Sequence, residues 1–168
     1  MKLFFTFKIK QKLLVIMNLL FTLLLLSCAS TNKMANVREE KVDKVITTAR
    51  TFIGTPYKYG GTTRAGMDCS GLLLNSFKSI EFELPRSSAD QSAIGEKVGL
   101  DDLQPGDLVF FATGKKKNRI THVGLVTERV SKNNVKFIHS SSKVGVVEIN
   151  LFQEYYLKSF RGARRVIQ

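Results

Sequence analysis

Hydrophobic periodicity changes once along this chain, and that change limits the folds open to it. Val42, Val45, Ile46, Ala49, Phe52 and Ile53 recur at i, i+3, i+4, i+7 spacing, which predicts a helix with one buried face, stopped by Gly54 and Pro56. A second helix is expected to start near Asp68 or Ser70 and to turn Leu72, Leu73, Ser76, Phe77 and Ile80 inward. Between them, residues 54–68 hold four glycines and read as an irregular, closely packed segment. Beyond residue 106 the period shortens. Asp107–Phe111, His122–Thr127, Val135–His139, Val144–Ile149 and Gly162–Ile167 are strand-like runs rich in Val, Ile and Phe. Pro105-Gly106, Gly114 with Lys115–Lys117, and Asn133-Asn134 supply the turns. Helices first and strands afterwards predict an α+β domain, its N-terminal helices packed on a small antiparallel sheet.

The first 30 residues follow a different rule. Lys2, Lys8, Lys10 and Lys12 precede the apolar run Leu13–Leu26, and small or polar residues follow from Ser27. This is the order of a bacterial export signal, and the run is short of the ~20 apolar residues a membrane-spanning helix needs. Leu25-Leu26-Ser27-Cys28 resembles a lipobox, with Leu26 where a small residue is usual. The expected organisation is a lipoprotein signal peptide at 1–27, a lipidated tether at 28–41 beginning with acylated Cys28, and one domain at 42–168. More than one acyl chain on Cys28 would give stable membrane attachment, where a single chain binds only marginally.

That assignment reinterprets the charge. The chain carries +12, and removal of residues 1–27, with four lysines and no acid, leaves +8 on an exported domain. Nucleic acid is not an expected partner, because no stacking-aromatic motif accompanies the lysines. Lys115, Lys116, Lys117 and Arg119 read as one solvated basic turn.

Lipidation of Cys28 leaves Cys69 as the one free thiol, and a leftover Cys in an exported protein is a reactive candidate. It stands in Met67-Asp68-Cys69-Ser70-Gly71-Leu72. A thiol at a helix N-terminus is expected to have a lowered pKa, with Asp68 as N-cap and Gly71 admitting close backbone approach. A Cys nucleophile needs a base, and the base needs a polar group that orients it. His122 opens one strand-like run and His139 closes another, which supplies both parts. Gly124 shares a strand face with His122 and is expected to leave room beside its imidazole. The same trio can instead ligate zinc with Asp68 as a fourth ligand, although no local i, i+3 or i, i+4 pair favours a metal.

Five ordered motifs then carry a resemblance. Thr55-Pro56-Tyr57-Lys58-Tyr59-Gly60-Gly61, followed by Asp68-Cys69-Ser70-Gly71, resembles the NlpC family of papain-like cell-wall cysteine peptidases. Leu84-Pro85-Arg86-Ser87-Ser88, Leu103–Phe111, His122-Val123-Gly124 and Phe137-Ile138-His139-Ser140 continue it in order. Gly162-Ala163-Arg164-Arg165-Val166 is similar to the ending of the family's lipoprotein branch of murein endopeptidases. The resemblance implies a papain-like fold, Cys69 as nucleophile, His122 as general base and His139 as the residue orienting it, with no cofactor. It implies that Tyr57 lies near the active site, contacting the peptide stem or the oxyanion, and that Asp68, Ser70, Arg86 and Ser87 border the substrate. Packing against the first helix is an equal reading for Tyr57, and a structural loop role an equal one for Arg86 and Ser87.

The implied activity is hydrolysis of a peptidoglycan stem-peptide amide, at the D-alanyl–diaminopimelate cross-link or the D-glutamyl–diaminopimelate bond. The implied location is the cell envelope, on the periplasmic side of the outer membrane, since no Asp follows Cys28. Rival readings are a non-catalytic peptidoglycan-binding lipoprotein, and an amidase or acyltransferase on the same fold. One departure stands out: Thr127–Val135 is longer than the hairpin expected in the lipoprotein branch, and with Lys115–Arg119 it bears on cleft shape and substrate preference more than on the chemistry.

Overall fold

The computed structural model describes residues 12, 14–18, 35–114 and 116–168. Cys28, most of the signal segment and Lys115 lie outside the described residues. Among those described, no helix is long and apolar enough to cross a membrane. The chain divides into two compact units, Met1–Glu39 and Glu40–Gln168, and the second contains all the described strands.

Helix α1 spans 35–50 and buries Val42, Val45, Ile46 and Ala49 along one stripe. It ends before the expected apolar pattern does. Residues 51–54 form a turn closed by Gly54 in the left-handed region (φ 85°), and Gly54 N–H donates to the carbonyl of Val146. Ile53, expected inward, is therefore 52% exposed, while Phe52 stays packed against the core. The glycine-rich segment is more regular than its composition suggests. It forms a two-stranded hairpin, β1 (Thr62–Thr63) with β2 (Gly66–Met67), that runs into helix α2 (Cys69–Lys78). Leu72, Leu73, Ser76 and Phe77 point inward from α2, and the buried Ser76 hydroxyl is satisfied by donating to the Leu72 carbonyl at 2.9 Å. Ile80, expected on that helix, lies past its end and packs only partly buried.

A short helix α3 (Ser88–Gln91) and an edge strand β3 (Glu96–Val98) precede β4 (Leu108–Phe111), β5 (His122–Ser131), β6 (Asn134–Ser141), β7 (Gly145–Asn150), helix α4 (Glu154–Ser159) and β8 (Phe160–Arg165). The six-stranded sheet has the order β3-β8-β4-β5-β6-β7 and every pairing is antiparallel. All five expected strand runs are present with shifted ends. His139 does not close its strand, because β6 continues to Ser141.

Central strand β4 is buried at all four positions, so the sheet is covered on both faces. Leu108 and Phe110 join α1, α2, Val123 and Leu125 in one apolar cluster. Val109 and Phe111 join Val126, Phe137, Leu151 and Tyr156 of α4 in the other. Alternation of side chains along a strand sends neighbours to opposite faces, and here each face finds its own core. The turn before β4 is held by fully buried Asp107, which accepts from Arg165 Nε and Nη2, both at 2.8 Å, and from the Gln104 N–H at 2.8 Å. Removal of either partner of such a buried pair strands a charge, the costly way to break one.

Candidate active site

The approach to Cys69 is a stack of backbones in which two glycines, Gly61 and Gly71, permit contact. A Cβ on Gly61 would lie 2.3 Å from the Gly66 carbonyl oxygen, and a Cβ on Gly71 would lie 2.3 Å from that of Gly61. Side chains are excluded there because main chain fills the space. Asp68 ties this stack to the first turn of α2. Its carboxylate accepts from the N–H groups of Gly71 (2.7 Å) and Gly60 (2.9 Å), from the Ser70 hydroxyl (3.1 Å), and from both terminal nitrogens of Arg86 (2.7 and 3.0 Å). Burial alone would raise the Asp68 pKa, but the Arg86 pair and the Gly71 N–H outweigh it and hold the carboxyl below its ordinary range. Arg86 also donates to the Ser70 hydroxyl at 2.8 Å. The expected N-cap role of Asp68 is thus present, with a cation clamped on it.

Cys69 occupies the first position of α2 and is 7% exposed. The expectation of a lowered thiol pKa fails here. Desolvation by burial pushes it up and the neighbouring Asp68 carboxylate adds to the rise. Backbone N–H groups of Val123, Ser70 and Cys69 itself act in the opposite direction without prevailing. A helix N-terminus favours the anion only as far as the site remains solvated or charge-balanced, and this one is neither. Burial thus holds the Cys69 thiol pKa above its ordinary value.

The histidines face each other from neighbouring strands, His122 at the start of β5 and His139 within β6. His122 Nε2 lies 2.9 Å from His139 Nδ1, the rings perpendicular with centroids 4.9 Å apart. Burial lowers the His122 pKa to about 4. Burial, then the proximity of His122, lowers that of His139 to about 3. Both are neutral at pH 7, the form that can accept a proton. Because Nε2 of His122 is engaged by His139, Nδ1 is the remaining nitrogen of that ring. The reason for Gly124 differs from the expected one. A Cβ there would meet Phe137 Cδ2 at 2.4 Å, so the space belongs to the Phe137 ring and not to the imidazole. Phe137 in turn stacks on His139, with centroids 4.9 Å apart and planes 17° apart.

Two hollows of about 450 and 410 Å³ flank this group and meet at Tyr57 and Thr121. The first is lined by Asp68, Cys69, Ser70, Arg86 and Ser87, with Tyr59 and Arg119 at its border. The second is lined by His122, His139, Lys143, Tyr155 and Tyr156. All eight residues singled out in the described part of the sequence therefore line one or the other of these two adjoining hollows. Tyr57 is half-buried on the ridge, and its phenol pKa is raised by burial and by the nearby Cys69 and Asp68. Ser87 also caps α3, accepting from the Asp90 N–H at 3.2 Å. No residue of 127–135 lines either hollow: the extra length extends β5 and β6 into a longer hairpin and leaves cleft shape alone. Lys116, Lys117 and Arg119 of the basic turn are exposed. Among the described residues, no group of three or more His, Cys, Asp or Glu is arranged to hold a metal ion.

One residue of the site escapes sequence reasoning. Tyr156, on α4, brings its hydroxyl within 3.3 Å of His139 Nε2. Gln153-Glu154-Tyr155-Tyr156 offers no periodicity over a helix of six residues, so nothing local marks it.

A thiol on the first turn of a helix and imidazoles on a facing antiparallel sheet define a papain-like cysteine peptidase, an enzyme that cuts peptide bonds. The chain belongs to the NlpC/P60 family, whose model matches residues 54–165. It is 37% identical over 155 residues to the probable endopeptidase NlpC of Escherichia coli K12, covering 88% of this chain and 97% of that protein. It is 36% identical over 115 residues to the E. coli murein DD-endopeptidase MepS/murein LD-carboxypeptidase, covering 68% and 57%. The crystal structure of an NlpC/P60 family protein from Bacillus cereus is similar with a TM-score of 0.68 at 35% identity, covering 76% of this chain. This chain spans 40% of that larger one.

Proposed function

We propose that this protein is a lipid-anchored murein endopeptidase that hydrolyses a stem-peptide amide with Cys69, His122 and His139. The observation that carries the reading is the 2.9 Å imidazole pair of β5 and β6, together with a helix-terminal thiol that takes the backbone N–H of Val123, the residue after His122. His122 Nδ1 takes the thiol proton as the sulfur attacks the amide carbonyl, and the resulting oxyanion is met by the backbone N–H of Cys69. The C–N bond breaks as His122 returns the proton to the departing amine, leaving a thioacyl enzyme. Water, deprotonated by His122, then releases the acid and restores the thiol. His139 holds the His122 ring in place, while Tyr57, Arg86 and Ser87 line the substrate path; Asp68 and Ser70 border it.

The favoured bond is the D-alanyl–diaminopimelate cross-link, a preference that likeness to the MepS protein supports. Purified sacculi incubated with wild-type protein under reducing conditions are expected to lose dimeric muropeptides in favour of monomers, read by mass spectrometry. Loss of tetrapeptide stems to dipeptides instead would assign the D-glutamyl bond. An unchanged muropeptide profile overturns the hydrolase reading.

The domain runs from 42 to 168, behind a signal at 1–27 and a tether at 28–41. It sits on the periplasmic face of the outer membrane through acylated Cys28. A Cys28→Ser chain is expected to lose metabolic incorporation of an alkyne fatty acid and to leave the membrane fraction. Equal labelling of both chains would rule out that anchor.

A further inference from the structure

Two neutral imidazoles joined by one hydrogen bond share a single proton across it, and its location decides whether His122 can act as a base. For His122 to accept at Nδ1, its own proton must sit on Nε2 and be donated to His139 Nδ1. His139 Nδ1 is then bare, so the proton of that ring sits on Nε2. The opposite arrangement puts protons on both Nδ1 atoms, and His122 then presents an N–H to the thiol and cannot accept from it.

The group facing His139 Nε2 is the hydroxyl of Tyr156, at 3.3 Å. We propose that Tyr156 is the positioning residue that sets the tautomer of the pair, by accepting a hydrogen bond from His139 Nε2–H and so keeping His122 Nδ1 unprotonated. The proposal rests on the reading of Cys69 as nucleophile and His122 as base. Two features fit Tyr156 for the task. Its ring is held edge-on by Phe137 (centroids 5.0 Å, 76°), by Phe111 (5.6 Å, 69°) and by His139 itself (5.4 Å, 72°), so the hydroxyl has a fixed address. The residue also lines the open hollow, so its own O–H can point to solvent or substrate while the oxygen accepts. Burial and neighbouring Tyr155 raise its pKa, which keeps the phenol protonated through neutral pH. A chain of three hydrogen-bonded groups thus runs from α4 through β6 to β5, and its last member, His122, directly precedes Val123, whose backbone N–H is directed at the sulfur.

The test is Tyr156→Phe in the full-length protein labelled with 15N-histidine, read by ring 15N chemical shifts alongside kinetics on a soluble stem peptide. Phenylalanine keeps the ring contacts and removes only the acceptor. In the wild type, both rings are expected to carry their proton on Nε2. In the variant, His139 is expected to shift toward Nδ1–H and His122 with it. The kcat value is expected to fall roughly three- to tenfold with KM unchanged, the range of one neutral hydrogen bond. Unchanged ring shifts in the variant overturn the proposal, as does a wild-type His139 protonated on Nδ1. A raised KM with intact kcat also overturns it, because that is the mark of a substrate contact. Failure of the hydrolase reading looks different: wild-type protein would be inactive while the tautomer shift on Tyr156→Phe persisted.

Discussion

Replacing Cys69 with alanine is expected to lower hydrolysis of a stem peptide by about four to six orders of magnitude, and His122→Ala by a similar factor. The double variant is expected to be no worse than either single one. The reason is that the two act as a unit: without the sulfur no thioacyl bond forms, and without the imidazole a protonated thiol has no acceptor. That dependence is sharper here because burial raises the thiol pKa and so disfavours a preformed thiolate able to react when His122 is gone. Steady-state kinetics on the three variants checks this, and additive losses would mean separate roles. The pH profile follows from the same state. His122 must be neutral to serve as base, and burial lowers its pKa to about 4. The kcat/KM value of the free enzyme should stay level through neutral pH and fall only as pH drops toward about 4. An acid limb at the usual imidazole range near 6.5 would contradict the burial-driven shift.

Much of this site is legible in the amino-acid sequence, and the parts that are not share a cause. Cys69, His122 and His139 stand in motifs whose chemistry is local: a capped helix start and two strand-borne imidazoles. The strands were legible because Leu108–Phe111 and its partners are apolar runs between turn residues. Strand β3 was not, because Glu96-Lys97-Val98 is an edge strand whose pairing with β8 is made by backbone and leaves two side chains exposed. Ile53 was misplaced since periodicity predicts a face without predicting where Gly54 ends the helix. The thiol pKa was misjudged for the same kind of reason. A helix dipole is a local property that sequence announces, whereas the burial that overrides it is assembled from α1, α2 and β5 together. Tyr156 and the Asp107–Arg165 pair are tertiary in the same sense, joining residues 17 and 58 positions apart.

The site is also divided between the two cores, and this gives the largest expected structural effect. Cys69 belongs to the helix-side cluster, while the histidines sit with Phe111 and Phe137 on the opposite face of the sheet. Strand β5 serves both, offering the Val123 N–H to the sulfur and, one residue earlier, His122. Gly124 is therefore where packing and chemistry are joined. Gly124→Ala is expected to destabilise the fold by about 1–3 kcal/mol, the ordinary cost of overpacking, with a correspondingly lower urea midpoint. The new methyl would stand 2.4 and 2.9 Å from two carbons of the Phe137 ring and 3.0 Å from the Ile138 carbonyl oxygen. Backbone cannot retreat there, because Gly124 is paired with Val109 and Leu125 with both Leu108 and Ile138, so the ring must move. His139 is stacked on that ring and would move with it, lengthening the 2.9 Å link to His122. Activity is accordingly expected to fall at least tenfold in protein that remains folded, a loss that lower stability alone does not cause. Adding Phe137→Leu should relieve the clash and recover stability. It should not recover activity, because the surface that orients His139 is gone. Recovery of both together would show that the glycine serves packing alone.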